Sequence, residues 1–348
     1  MSIGDLADRV RVGDIRATAR AISLVEDEHP DARLLVTALH AHAGHAGLIG
    51  ITGPPGAGKS TLVDQLTSHL RDAGLTVGIL AVDPSSPCSG GALLGDRIRM
   101  HRHALDAGVF VRSMATRGTH GGLARATADA ALVLDAAGFD LVLIETVGVG
   151  QDEIDIVRTA DVTVVVLVPG TGDDVQALKA GLMEIADVFV VNKADREGAD
   201  RAVSAIESML ALRGDLSRAW CPPVVRTQAT TGDGIDALWA AISAFRSRAP
   251  ATGGERHRAN AAWRLRTALA QRLLRHVDEV VLPGTAFDVL VEAIAARTAD
   301  PYSVAEDVLA QVLGAASGVS PTPRRLDKSG PGLHDVALAV DRPPSQER

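Results

Sequence analysis

Cysteine and aromatic side chains are scarce in this chain, and each shortage removes a class of protein. The two cysteines, Cys88 and Cys221, lie far apart, so there is no disulfide framework and a reducing compartment is the natural setting. Aromatic residues make up only 3%, and acidic residues outnumber basic ones by 43 to 35, which leaves a net charge of -8. A general nucleic-acid binder needs a basic face and stacking rings, so no nucleic-acid partner is expected. No apolar run reaches the roughly 18 to 20 residues that span a bilayer, and the first residues lack a basic-then-apolar signal pattern. A cytoplasmic protein without membrane association is therefore expected. What the chain does have is apolar mass, 46% of 348 residues, which can bury one large core with smaller attachments.

From Asp14 to Ala43 apolar residues recur at helical spacing, as Ile15, Ala19, Ile22 and Val25, then Leu34, Leu35 and Leu39 after Pro30. This predicts an N-terminal pair of helices. From Gly47 the pattern changes to short β-rich runs, LIGIT, TVGILAV, VFVRSM, LVLIET, VTVVVLV, VFVVNK and VVRTQA, separated by longer amphipathic stretches. Near-continuous apolar strands alternating with helices imply a parallel sheet covered on both faces. Right-handed crossovers then give a doubly wound, mainly parallel α/β domain. Pro250 to Glu255 reads as a linker, and three helices are expected beyond it, over Trp263 to Val281, Phe287 to Ala295 and after Pro301. The expected division is a helical extension over 1–45, the α/β domain over 46–249, a C-terminal helical arm over 250–317 and a mobile tail over 318–348.

The sharpest motif is GPPGAGKS, Gly53 to Ser60, which follows the apolar run Leu48 to Thr52 and precedes a helical pattern through Leu62, Leu66 and Leu70. A phosphate-binding loop requires both neighbours. Gly53, Gly56 and Gly58 permit the tight turn, while Pro54, Pro55, Ala57 and Thr61 complete the segment around it. Its N–H groups can converge on phosphate oxygens at a helix N-terminus. Lys59 is expected to reach the β- and γ-phosphates and Ser60 to ligate magnesium. The competing reading is an ordinary Gly-rich turn whose lysine faces water.

The choice of base is set by Asn192, Lys193 and Asp195, the NKxD pattern at the carboxyl end of an apolar strand. A fixed carboxylate at Asp195 accepts two hydrogen bonds from guanine N1–H and its exocyclic amine. Adenine lacks that donor pair, and its bare N1 facing a carboxylate costs about 1 to 3 kcal/mol or more. Asn192 and Lys193 would brace the loop and cover the base. Thr227 to Thr231, with Gln228, Ala229 and Thr230 at its centre, could offer backbone N–H groups to the guanine oxygen, Ala229 foremost. A polar loop with a solvated lysine and a capping aspartate is the plain alternative. GTP or GDP is the expected ligand.

Three acidic residues suit the neighbourhood of a magnesium ion: Asp83 closing ILAVDP, Glu145 closing LVLIET, and Asp96 after Gly90, Gly91 and Gly95. Magnesium keeps several waters, so some of these would act through water. Asp96 also reads as a helix N-cap and Asp83 as a turn former before Pro84. Glu145 on an apolar strand has no such simple alternative, since an unpaired buried carboxylate is costly. Gly148 could offer its N–H to a γ-phosphate. The next residue, where many GTPases place a glutamine that orients water, is Val149, and Gln151 comes two residues late. Slow intrinsic hydrolysis is expected unless a partner completes the site.

GPPGAGKST, AVDPSSPCSGGALLGDRIRM, ETVGVGQ, PGTGDDVQALKAG and NKAD, in this order, resemble the methylmalonyl-CoA mutase-associated GTPases, the MeaB/ArgK group of P-loop GTPases. The resemblance covers nearly the whole chain and fades in the tail. It implies a homodimer joined through the C-terminal arm. It also implies an adenosylcobalamin-dependent mutase as partner, with switch segments that gate cofactor delivery and protect the mutase. By matching position it places Asp83, Asp96 and Glu145 in the magnesium and catalytic neighbourhood, and Lys179 in an additional switch beginning near Gly170. Two other readings stay open: a nickel-delivery GTPase using Cys88, His101 and His103, and a small-molecule kinase or transport-coupled ATPase, an older label for relatives of this group. His101 and His103 stand two apart and do not share a helix face, and NKAD argues against ATP.

Overall fold

The structure, a computed structural model, describes residues 2–83, 101–103, 105–115, 122–146, 159–170, 182–212, 220–248 and 254–317. They fall into two compact units divided between Ala262 and Trp263.

The first unit is built on a seven-stranded parallel sheet: β1 Gly47–Thr52, β2 Val77–Asp83, β3 Val109–Ala115, β4 Leu141–Thr146, β5 Val162–Leu167, β6 Val188–Val191 and β7 Val224–Arg226. The spatial order is β3-β2-β4-β1-β5-β6-β7. All seven expected strands are present. β4, β5 and β6 are buried at every position, which is why their sequences run as uninterrupted aliphatics. On one face Ile49, Ile51, Val162, Val164 and Val166 pack with Leu62, Leu66 and Leu70 of helix Lys59–Asp72. On the other, Val165, Leu167, Phe189 and Val191 pack with Val203 and Ile206 of helix Ala199–Leu212.

Adjacent strands β1 and β5 send the chain in opposite directions, β1 toward β2 and β5 toward β6. Such a switch point opens a crevice at the carboxyl edge of the sheet, where ligands bind in this class of fold.

The N-terminal region holds three helices where two were expected: α1 Ile3–Arg11, α2 Ile15–Glu26 and α3 Ala32–His40. The additional helix α1 has a reciprocal cap. Ser2 Oγ accepts from the Asp5 N–H and Asp5 Oδ2 accepts from the Ser2 N–H, each at 3.1 Å. Leu6, Ala7 and Val10 are its buried face. At the other helix start, Asp14 caps α2 by accepting from the N–H groups of Arg16 and Ala17. The three helices pack on helix Gly122–Ala136, and α2 also reaches the edge strand β3, where Glu26 pairs with Arg112.

The second unit comprises the later turns of helix Glu255–His276, a wide turn over Val277–Val281, and helices Ala286–Ala295 and Pro301–Ser317. Leu282, Leu290 and Val308 form its small core, with Val277, Val281, Ala286 and Val304 against them. The expected tail, 318–348, lies outside the described residues. Among the described residues no helix is long and apolar enough to cross a membrane.

Candidate functional site

β1 ends at Thr52 and the next helix, α4, begins at Lys59, so the glycine-rich loop sits at the carboxyl edge of the central strand. Two of its glycines have no substitute. At Gly53 φ is +144°, and a Cβ would lie 2.0 Å from the Val166 carbonyl oxygen on β5. At Gly58, the residue that opens α4, φ is +87° and a Cβ would lie 2.5 Å from Asn192 Nδ2.

The loop carbonyls are held by three side chains. Lys59 is buried and its Nζ donates to Gly53 O at 2.7 Å and to Pro54 O at 3.0 Å. Lys193 Nζ donates to Gly56 O at 2.7 Å, and Asn192 Nδ2 donates to Ala57 O at 2.8 Å. The first N–H groups of α4 have no intrahelical acceptor by construction. They are therefore the groups available to anionic oxygens, with the Lys59 ammonium beside them. Ala57 is buried, while Pro55 and Thr61 are exposed.

Asn192 joins three loops. Besides its bond to Ala57, its Oδ1 accepts from Thr227 Oγ1 and from the Ala229 N–H, both at 3.1 Å. Lys193 follows in a left-handed conformation, φ +56°, which turns the chain sharply at the end of β6. Asp195 is exposed, and among the described residues nothing bonds its carboxylate. The Ala229 N–H, the group expected to face a guanine oxygen, donates to Asn192 Oδ1 and so ties the loop after β7 to the end of β6. Gln228 bridges back to Asp233, and Thr230 is exposed.

Glu145 stands at the end of β4, buried, and its Oε1 accepts from Ser60 Oγ at 2.6 Å. In register it lies beside Ile51 of β1 and Ala81 of β2. A hydroxyl and a carboxylate oxygen held this close form a hard-oxygen pair of the kind magnesium takes, with bonds of about 2.0 to 2.1 Å. The donor set fits that ion. Asp83 ends β2 at the same edge of the sheet, and its side chain lies outside the described residues. Asp96, Gly148, Val149, Gln151 and Lys179 also lie outside them.

Of the alternative metal set, Cys88 and the side chain of His101 lie outside the described residues, whereas His103 is buried against Asp64. Among the described residues no group of three or more His, Cys, Asp or Glu could hold a metal ion. Sequence reasoning missed the roles of Thr52 and Thr146. Their hydroxyls meet at 3.0 Å in the buried floor under the loop. A threonine at the end of each of two apolar strands, TG in one and ETV in the other, is the signal that was there to be read.

A fully parallel sheet with this loop at its switch point defines a P-loop nucleotide-binding protein of the doubly wound class. The chain matches the model of the methylmalonyl-CoA mutase-associated GTPase MeaB family over residues 18–281 and belongs to that family. A Pyrococcus abyssi protein, named as a GTPase by inference, is 49% identical over 321 residues, covering 91% of this chain and 99% of its own. The GTPase ArgK of Escherichia coli is 37% identical over 279 residues, covering 77% of this chain and 84% of its own. A solved structure of an LAO/AO transport system kinase is 27% identical with a TM-score of 0.65, covering 89% of this chain and 97% of that one.

Proposed function

We propose that this chain is a magnesium-dependent GTP switch that hydrolyses GTP slowly and assists an adenosylcobalamin-dependent acyl-CoA mutase, methylmalonyl-CoA mutase first among them. It acts in the cytoplasm as a homodimer. Its α/β domain over 46–249 carries the nucleotide, and its helical arm over 250–317 joins the copies.

The observation that carries the nucleotide reading is the Asn192 junction, which ties the phosphate loop, the end of β6 and the Thr227 to Ala229 loop into one frame. A frame tied through Asn192 would keep the backbone at Asp195 in register with the phosphate loop, and a carboxylate meeting the base there would select guanine over adenine. Lys59 would supply positive charge to the β- and γ-phosphates. Ser60 and Glu145 would hold magnesium, whose contribution is to neutralise charge on the phosphate oxygens. Asp83 and Asp96 belong to the same neighbourhood, and Gly148 and Lys179 to segments that answer the γ-phosphate. The family's own description supports the mutase as partner.

Two measurements test this reading. Direct titration should show GTP bound far more tightly than ATP, and Asp195→Asn should shift the preference toward xanthine nucleotides, whose extra carbonyl accepts from the new amide. Equal affinity for ATP and GTP in the wild type would refute the base assignment. Phosphate release at saturating GTP should rise at least about tenfold when the cognate mutase is added, about 1.4 kcal/mol of barrier. Lys179→Ala should reduce that rise with little change in GDP affinity. An unchanged rate despite a demonstrated complex would refute activation by the mutase and leave the GTPase assignment standing.

A further inference from the structure

Helix α4, which starts at the phosphate loop, carries a stripe of polar residues along one side: Ser60, Asp64, Ser68 and Arg71, spaced four, four and three apart. Such spacing puts them on one face. Each end of the stripe grips a different part of the sheet. Ser60 reaches Glu145 on β4. Arg71 forms a two-pronged bond with Asp106, Nε to Oδ2 at 2.9 Å and Nη2 to Oδ1 at 3.0 Å, in the turn that enters β3. Between them is a third grip that the nucleotide reading does not use. His103 Nε2 lies 3.2 Å from both the carbonyl oxygen and Oδ1 of Asp64.

Both atoms facing Nε2 are acceptors, so Nε2 is assigned the proton; it donates to the Asp64 carbonyl oxygen, and Oδ1 stands beside that bond without accepting from it. His103 is 6% exposed and Asp64 8%, so neither exchanges this contact freely for water. Among the described residues the largely exposed Arg102 also approaches the carboxylate, 3.8 Å from Oδ2. Asp64 is one helical turn beyond Ser60, so its N–H lies over the Ser60 carbonyl. Any rotation or slide of the first turns of α4 therefore moves Ser60 Oγ relative to Glu145.

We propose that His103 is a positioning residue for the magnesium pair: by holding Asp64 it fixes the rotation of α4 and keeps the Ser60 hydroxyl against Glu145. The inference rests on the reading of Ser60 and Glu145 as magnesium-binding groups. Removing the imidazole takes one of two side-chain donors from the Asp64 carbonyl, which Ser68 Oγ also meets at 3.1 Å, and takes away the tie between this turn of α4 and the segment before β3, so α4 is free to shift toward solvent. A site that tolerates only about 0.5 Å of misplacement then binds its ion less well.

The test is the magnesium dependence of GTP turnover by the full chain. His103→Ala should raise the magnesium concentration for half-maximal hydrolysis by about three- to tenfold, while KM for GTP at saturating magnesium moves less than about twofold. His103→Gln places an amide N–H near the lost Nε2–H and should restore the midpoint to within about twofold of wild type. His103→Phe fills the same space without a donor and should raise the midpoint as His103→Ala does. It gives the same reading if His103→Ala does not fold. A lowered melting temperature with an unmoved midpoint in His103→Ala and His103→Phe would overturn the positioning role alone. Wild-type turnover that ignores magnesium would overturn the site reading and this inference together.

Discussion

At the amino edge of the sheet Asp140, Asp161 and Asp187 each stand one residue before a strand. Each accepts the backbone N–H of a residue entering or just inside a neighbouring strand: Thr76 at 2.7 Å, Leu48 at 2.9 Å and Thr163 at 2.8 Å. Asp135 does the same for the approach to β1, accepting from Gly44, His45 and Ala46. At the carboxyl edge the pattern reverses. Glu145 accepts from a hydroxyl, and the carbonyls of the glycine-rich loop are held by ammonium and amide groups. An aspartate at the amino edge completes a ladder that lacks one acceptor, which is a service to folding. Polar groups at the other edge hold a loop in readiness for an anion, which is a service to binding.

That contrast breaks most easily at Lys59. Lys59→Ala should lower GTP hydrolysis at least about 100-fold, roughly 2.7 kcal/mol of barrier. Its melting temperature should stay close to wild type, since the lysine's bonds to the Gly53 and Pro54 carbonyls lie in the loop. Phosphate release and circular dichroism on one preparation measure both. Near-normal turnover would remove the loop from the mechanism.

A smaller effect of the opposite kind is expected at Asp187. Besides the Thr163 N–H, this carboxylate accepts from Arg256 Nη1 at 2.5 Å, so Asp187→Ala leaves two donors without an acceptor. The cost should be about 2 kcal/mol, a fall in melting temperature of roughly 4 to 8 °C. GTP affinity should change less than about twofold. Asp187 immediately precedes β6, which carries Asn192 at its far end. A tenfold loss of affinity would mean that strain runs along the strand and that the two edges are not independent.

The strands are legible in the sequence because burial on both faces leaves its mark on every residue: VTVVVL and VFVV have no polar face to confuse the pattern. The glycine-rich loop is legible for a similar reason, since left-handed backbone at Gly53 and Gly58 excludes other residues. Helix α1 is less legible. It is short, four of its nine residues are charged, and its strongest mark is the Ser2 to Asp5 cap. Asp187 and Asp161 go unremarked as structural groups because an aspartate before a strand looks like any loop aspartate. Only the register of neighbouring strands shows what it holds. The partnership of His103 with Asp64 is out of reach for the same reason, because no local pattern links residues on separate elements.

The finest test of the contrast is the pH dependence of stability at Asp140. The Thr76 N–H and then the Thr76 hydroxyl, both bonded to Oδ2, hold this carboxyl below the usual aspartate range, with a smaller contribution from Arg71. A group with its pKa depressed by folding stabilises the folded state fully only above its unfolded value, about 3.9. That stabilisation is lost as pH falls through the folded value. Asp140→Asn keeps an acceptor oxygen at the same place and removes the titration. The melting temperature of wild type should therefore exceed that of the variant near pH 6, and the gap should close as pH falls from about 4 through the depressed folded value. The effect should be the smallest of the three, because the pair is exposed and water screens its charge. The variant should bind GTP as wild type does at pH 7. Other carboxylates titrate in both proteins and cancel in the difference. A gap that stays constant down to pH 2 would mean that hydrogen-bond geometry, and not charge, is what the carboxylate contributes at this edge of the sheet.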